Sequence, residues 1–565
     1  MLDHLNGFST NGNDPPDAPR PHPRLGVLVS GSLAEGLTAR LDAEASVESI
    51  RLGKFVKVAG EKYAYFCLVS DVQLDSANAD VVRDPPSGPG AADAFVREVL
   101  AGTTTFGSIK LKPELMLEIA ISGEAASDVP QAARTIPPHF SSVYEATEED
   151  FHRVFGAEGE EHFQIGQPID MDVPVCINLT KLVQRSNGVF GKSGTGKSFL
   201  TRLLLSGTIK TGAAVNLIFD MHSEYGWNAT TEGTGEVKGL SQLFPGKVVV
   251  FTLDPESASK RSVRPDGSVT IGLDEITVED VTLLQDELKL NRTAEESALL
   301  CEEEFGKEWV RRLLEMDGDE LHTFADRTGG HIGSLGALRN KLRKVRVLPF
   351  VKDTVSHSSL DQLIASLESG KHVVLEFGHQ RNLLAYILVA NIITRRLHSR
   401  WVSKTETFLS TKQEADKPRQ LMITIEEAHK FLNSEAARQT TFGTIARELR
   451  KYFVTLLVVD QRPSGIDPEV LSQIGTRITC QLNDERDIDA IFTGVSGASH
   501  LRGVLATLDS REQALVLGHA VPMPIMIRTR SYDERFYAAM SPFGTPAALV
   551  SHATRYTEIF GGEDD

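Results

Sequence analysis

At 565 residues the chain is longer than one hydrophobic core usually supports, so two or three domains are expected. Its composition, 41% apolar and 24% charged, excludes wholesale disorder, and the lack of any apolar run of about eighteen residues excludes a membrane-spanning helix. A net charge of −18 argues against a protein that coats nucleic acid through bulk charge, because phosphate contacts need a local surplus of Lys and Arg; a ring with a basic lumen and an acidic exterior escapes that objection.

Residues 1–24 are polar and proline-rich, lack the apolar stretch of a secretory signal, and read as a flexible N-terminus. Cys67, Cys176, Cys301 and Cys480 stand singly among apolar neighbours, without C-x-x-C or metal-ligand spacing; they are expected as reduced core thiols of a cytoplasmic protein. From 25 to 125, short runs rich in β-branched and aromatic residues (Gly26–Val29, Phe55–Val58, Tyr63–Val69, Leu115–Ile121) alternate with turn signals and predict a small β-barrel, followed by a linker over 126–169.

Apolar strands then alternate with helical patterns, which predicts an α/β fold with a largely parallel sheet, over 170–275 and again over 347–540. The expected strands are Gly188–Phe190, Val215–Asp220, Val248–Thr252, Val373–Phe377, Leu421–Glu426, Val454–Asp460 and Arg477–Leu482. Between them, 276–346 reads as a helical insertion that opens on a capping box at Thr277 and Asp280. The tail 541–565 reads as a further C-terminal segment.

The chemistry begins at Gly191-Lys192-Ser193-Gly194-Thr195-Gly196-Lys197-Ser198, a G-x-x-x-x-G-K-S loop between an apolar strand and the helix that opens with Phe199. Its glycines let successive N–H groups converge on phosphates, Lys197 adds a point charge, and the Ser198 hydroxyl can ligate Mg²⁺. ATP and Mg²⁺ are therefore the expected cofactors. Leu421–Glu427 is an apolar strand ending in two carboxylates: Glu426 to hold the metal's water shell and Glu427 to orient or deprotonate the attacking water. Asp220 ends another strand, placed to support Mg²⁺ or the lytic water, while His222 two residues on reads as a packed or capped histidine. Gln461, after the strand 454–460, places an amide at the sheet edge that can sense the γ-phosphate or water. Arg447 and Arg450 lie three apart on one helix face, either as guanidiniums offered across a subunit boundary or as a solvated charged face. The helix segment 339–346, with Arg339, Lys341, Arg343, Lys344 and Arg346, is the densest basic cluster; it reads either as a DNA-tracking surface or as a solvated face.

The series Gly191–Ser198, Phe219–Tyr225, Ile425-Glu426-Glu427-Ala428-His429, Ala446–Tyr452 and Asp460–Ser464 resembles the HerA family of the HerA/FtsK superfamily of DNA translocases. The resemblance implies a RecA-like P-loop core with a helical insertion behind an N-terminal β-barrel, closing into a homohexamer. It implies an ATP-dependent translocase or helicase that threads double-stranded DNA and works with a NurA-like nuclease in DNA end resection and repair. An alternative within the same resemblance is a ring scaffold serving an antiphage complex with a separate effector subunit. By the same pattern Lys197 and Ser198 serve phosphate and Mg²⁺, Asp220 lies near the metal, Glu427 is the catalytic carboxylate and Gln461 the sensor. Arg185, just ahead of the P-loop strand, acts on the neighbouring subunit's nucleotide, as does one of the Arg447 and Arg450 pair. This chain departs from the family pattern at Leu449, where glycine is more usual, and at Asp460, where a small hydroxyl residue is common.

Overall fold

The computed structural model describes residues 24–541 apart from 102, 120–128, 232–234, 292, 356–357, 381, 435–436, 438–440, 496–498 and 510–511. The chain divides into two compact units, residues 1–150 and 151–565.

In the first unit six antiparallel strands close on themselves: β1 (Arg24–Ser32), β2 (Gly36–Leu41), β3 (Phe55–Ala59), β4 (Tyr63–Ser76), β5 (Thr105–Glu118) and β6 (Ser142–Glu145). The order β2-β1-β6-β3-β4-β5 returns to β2 through the β2–β5 pairing, so this is a barrel without free edges. Closure follows from alternation: in β2 every second residue is buried, and Leu37, Ala39 and Leu41 join Val56, Val58, Cys67, Val69, Ile109, Leu111 and Val143 in the interior. The expected linker over 126–169 is not only a connection, because it supplies β6 to the barrel and a strand at 162–168 to the second unit. Both segments are short, with too few residues for a periodic pattern to stand out.

The second unit is built on a twelve-stranded sheet. In chain order its strands are β7 (His162–Pro168), β8 (Val175–Asn178), β9 (Asn187–Phe190), β10 (Val215–Asp220), β11 (Val248–Thr252), β12 (Gly267–Ser268), β13 (His372–Glu376), β14 (Leu421–Glu426), β15 (Val454–Asp460), β16 (Thr476–Thr479), β17 (Gln513–Gly518) and β18 (Ile525–Thr529). Across the sheet they run β12-β11-β13-β10-β14-β15-β9-β16-β17-β18-β7-β8. From β12 to β16 every pairing is parallel, and the four strands beyond pair antiparallel. The central strands are buried along their whole length, as strands covered on both faces must be. The bounds expected for β10, β11, β14 and β15 coincide with those observed. The strand expected over 477–482 stops at Thr479, because Cys480 and Gln481 turn under the glycine loop: Cys480 N donates to Phe190 O at 2.8 Å and Lys192 N donates to Gln481 O at 3.1 Å.

The P-loop helix α1 (Lys197–Thr211) packs on this sheet. The region 276–346 is helical, with α2 (Val278–Thr282), α3 (Thr293–Phe305), α4 (Trp309–Glu315), α5 (Gly318–Thr328) and α6 (Ile332–Arg346). The capping box forms, Thr277 and Asp280 each accepting from the other's N–H. A long helix α7 (Leu383–Thr411) anchors the insertion. Its Arg395 pairs with buried Asp280 at 2.7 Å, its Asn391 donates to the same carboxylate at 2.7 Å, and Arg396 meets Glu275 at 2.9 Å. All four cysteines are buried and unpaired, and among the described residues no helix is long and apolar enough to cross a membrane.

His372, at the start of β13, offers a readout of this sheet's integrity. Its Nδ1 accepts from Asn216 N at 3.2 Å, so the ring is held neutral, and burial pushes its pKa down from 6.5 to about 4. A depressed histidine pKa contributes stability that is complete above the unfolded value and is lost as pH falls through the folded one. His372→Gln is therefore expected to melt at a lower temperature than the parent at pH 7, with the difference shrinking between pH 6.5 and 4. Thermal melts across that range check it.

Candidate active site

The site assembles where the parallel strands end. β9 runs into Gly191–Ser198, whose backbone is set by three left-handed glycines, Gly191 (φ 151°), Gly194 (φ 79°) and Gly196 (φ 94°). Gly194 and Gly196 have open space where a Cβ would stand, so the dihedrals, not crowding, call for glycine. Gly191 is also crowded: a Cβ there would come within 2.8 Å of Cys480 Cβ and of Thr195 Oγ1. The Thr195 hydroxyl donates to Lys192 O at 2.8 Å, closing the loop. Lys197 Nζ donates to the same carbonyl at 2.8 Å, so the ammonium is already aimed into the cradle. Burial lowers the pKa of Lys197, opposed by Cys480 and by the carboxylates of Glu427, Asp460 and Glu224. Ser193 is exposed on the loop, while Ser198 and Phe199 fill the first turn of α1, where the helix dipole favours an anion.

Four neighbouring strands, β13, β10, β14 and β15, each end in a buried acid: Glu376, Asp220, Glu426 and Asp460. Each is stabilised differently. Glu376 pairs with Arg261 at 2.6 Å. Asp220 accepts from the N–H groups of Glu224 and Tyr225 at 2.8 Å each and of Gly226 at 3.3 Å. Both its oxygens are thus engaged in the 221–226 turn, and burial together with Glu376 still pushes its pKa up to about 7. Asp460 accepts from His429 N at 2.7 Å and Arg462 N at 2.6 Å, and faces His429 Nδ1 at 3.0 Å. Glu426 takes the Tyr225 hydroxyl on Oε1 at 2.9 Å, whereas its Oε2 is buried with no hydrogen-bond partner among the described residues. Burial, then the Asp220 and Glu224 carboxylates, raise the Glu426 pKa well above the carboxylate range.

Glu427 breaks the strand's alternation. Its φ of 50° is a left-handed conformation costing about 1–2 kcal/mol for an L-residue. It lets Glu427 and Gln461, from adjacent strand ends, meet: Gln461 Nε2 donates to Glu427 Oε1 at 2.9 Å. Glu426, Glu427, Lys197 and Gln461 are thus neighbours at one edge of the sheet. Asp220 reaches the same edge as a fastener of its turn. His222 is exposed.

The arginines stand elsewhere. Arg185 precedes β9 and Arg447 lies on α8 (Thr441–Glu448), ahead of β15, at the strand ends away from the glycine loop. The two line one cavity of about 650 Å³ with Gly475, Arg477 and His519. Arg185 Nε is buried there with no hydrogen-bond partner among the described residues, whereas Arg447 donates to Gly443 O at 3.2 Å and to Ala437 O. The Arg450 side chain lies outside the described residues. In the basic helix α6, Arg339 caps carbonyls of Met316 and Asp317, and Arg346 pairs with Asp353 at 2.9 Å; Arg343 and Lys344 remain exposed.

Several residues of the site are not legible in the motifs taken singly. Tyr225 and Tyr386 bracket Glu426, the latter donating to its carbonyl at 3.3 Å. Arg202 is 1% exposed, lies over the Phe199 and Tyr532 rings and holds Glu224 O at 3.0 Å through Nε. The Glu224 carboxylate acts electrostatically on both Lys197 and Glu426, and its Oε2 is buried without a hydrogen-bond partner among the described residues.

A magnesium nucleotide fits these residues. The N–H groups of Gly191 and Lys192 are held by Asp460 O and Gln481 O, which leaves an anion to the later part of the loop and the first turn of α1, and the Glu426 Oε2, without a hydrogen-bond partner among the described residues, calls for a donor such as a cation's water. Among the described residues no three Asp, Glu, His or Cys side chains converge into a metal cage, as suits Mg²⁺ held by phosphate, one hydroxyl and water. Gly196→Ala, which forces a Cβ into a positive-φ site, is expected to cost about 1 kcal/mol and to weaken nucleotide binding; thermal melts and nucleotide titration report the two effects separately.

Residues 163–397 match the family model described as "Helicase HerA, central domain". The chain is 23% identical over 416 residues to the DNA double-strand break repair helicase HerA of Pyrococcus furiosus, covering 69% of this chain and 73% of that one. It is 25% identical over 438 residues to the protein of the same name from Sulfolobus acidocaldarius, covering 75% and 78%. Among solved structures, VirB4 of Thermoanaerobacter pseudethanolicus aligns at a TM-score of 0.43 and 15% identity, over 66% of this chain and 98% of that one. The resemblance read from the motifs is borne out.

Proposed function

We propose that this HerA-type chain is the motor subunit of an ATP- and Mg²⁺-dependent DNA translocase or helicase. It works in the cytoplasm as a homohexamer on double-stranded DNA, with a separate nuclease partner in end resection and repair. The observation that carries this reading is the division of labour between the two ends of the sheet. The glycine loop, Glu426 and the Glu427–Gln461 pair gather at one end, and Arg185 and Arg447 share a cavity at the other. A guanidinium so placed does not serve its own P-loop, which supports a site completed by a neighbouring copy.

In this mechanism Lys197 and the N–H groups of the glycine loop neutralise and orient the phosphates, and Ser198 with Glu426 holds the cation through its hydroxyl and through water. Mg²⁺, when bound, would supply charge neutralisation to the phosphates. Glu427 accepts the proton of the attacking water, positioned by the Gln461 amide. Arg185 or Arg447 of the adjacent copy meets the charge that develops on the γ-phosphoryl group, a contribution of the order of 10³-fold or more in such sites.

Lys197→Ala and Glu427→Gln are each expected to abolish DNA-stimulated ATP hydrolysis, the first with loss of nucleotide binding and the second with binding retained. Mixing inactive Lys197→Ala with inactive Arg185→Ala protein is expected to restore part of the activity, because one kind of seam then holds an intact loop facing an intact arginine. No recovery on mixing, or full hydrolysis by a monomer, would sink the shared-site reading.

A further inference from the structure

His429 belongs to none of the roles above, yet it lies against the residue assigned as base. It opens a short helix, His429–Leu432, directly after Glu427 and Ala428. Its Nδ1 stands 3.0 Å from Asp460 Oδ2 and 3.8 Å from Glu427 Oε2. Asp460 is 1% exposed and also accepts the His429 backbone N–H at 2.7 Å, so one carboxylate grips both the backbone and the ring of the same residue. From the other side, the turn Pro463–Gly465 closes on the ring: a Cβ on Gly465 would stand 3.1 Å from His429 Cβ. The imidazole has little freedom to swing away.

This matters because Glu427 sits in a strained left-handed conformation, which persists only where the surroundings over-determine it. Gln461 fixes one carboxylate oxygen at 2.9 Å, and the other faces the ring that Asp460 holds. Gln461 directly follows Asp460 in the sequence, so one strand end supplies both the amide on Glu427 and the carboxylate on His429.

We infer that His429, clamped by Asp460, is a positioning residue for Glu427: the imidazole walls in the second carboxylate oxygen and keeps Glu427 aimed at the attacking water. The inference rests on the reading of Glu427 as the base. It assigns Asp460 the role of holding His429 through the Nδ1–H, without contact with the nucleotide. A misplacement of about 1 Å in a catalytic group can cost on the order of 100-fold in rate; the loss should fall on kcat, since the His429 ring lies against Glu427 and the Asp460 carboxylate, while Asp460 meets the glycine loop through its backbone carbonyl, which accepts from Gly191 N at 3.3 Å and is unchanged in a His429 variant.

The test is steady-state ATP hydrolysis with DNA, beside titration of a fluorescent ATP analogue with Mg²⁺, on the full-length assembly. His429→Ala is expected to lower kcat by roughly 10- to 100-fold while the analogue's affinity and the ATP KM stay within about twofold. His429→Asn, whose amide nitrogen superposes on Nδ1 and can still donate to Asp460, is expected to recover most of that loss. Retained analogue binding shows that a variant is folded, and the Asn variant serves should the Ala variant not fold. An Ala variant within threefold of parental kcat, a loss confined to KM, or an Asn variant as impaired as Ala overturns the inference. Glu427→Gln assayed in parallel separates the premises: normal turnover there removes the base itself, whereas an inactive Glu427→Gln beside a fully active His429→Ala removes only the positioning role.

Discussion

Burying carboxylates at the end of a parallel sheet is the constraint on which this molecule turns. Glu376, Asp220, Glu426 and Asp460 close adjacent strands in a row, each out of water, and a buried acid is tolerated only when paired, hydrogen-bonded or protonated. The architecture at that edge is the set of answers: an arginine for Glu376, a turn of backbone N–H groups for Asp220, and His429 with two N–H groups for Asp460. Glu426 keeps a buried oxygen without a hydrogen-bond partner among the described residues, and burial, then the Asp220 and Glu224 carboxylates, raise its proton affinity. The position left unsatisfied is the one a cation's water would complete.

The same logic explains why Glu427, the proposed base, is the residue after the strand and not within it. Inside β14 the side chains alternate between faces, so successive acids would point apart. The positive φ at Glu427 breaks that alternation and turns the second acid toward Gln461. The strain is held by packing from two strand ends and the 463–465 turn. Flexible loops alone would not sustain it.

The distribution of arginines complements that of the acids. Arg202, Arg261 and Arg395 are spent inside the subunit, on Glu224 O, Glu376 and Asp280 respectively. Arg185 keeps a buried Nε with no hydrogen-bond partner among the described residues, in a cavity away from its own glycine loop. In the proposed shared site it is this guanidinium that meets an anion brought by the neighbouring copy. The density of basic residues in α6 is misleading by comparison, since Arg339 and Arg346 are used to cap and brace the insertion.

The sequence by itself determined the phosphate loop, the strands that carry the acids and the helical character of 276–346, because these depend on local signals: glycine spacing, short runs of mainly apolar residues, and a capping box. The glycine-loop motif singled out Lys197, and the ends of two apolar strands singled out Glu426, Glu427 and Gln461, as candidates. Only the tertiary structure decided that Ser142–Glu145 closes the barrel and His162–Pro168 joins the large sheet, since their pairing with Arg24–Val27 and with Ile527–Thr529, distant in the chain, leaves no periodic trace in so few positions. Only it showed Asp220 occupied by its own turn, Tyr225 and Glu224 brought against Glu426, and His429 gripped by Asp460. Those roles depend on which side chains meet across strands distant in sequence, and that is fixed by packing, which local pattern does not encode.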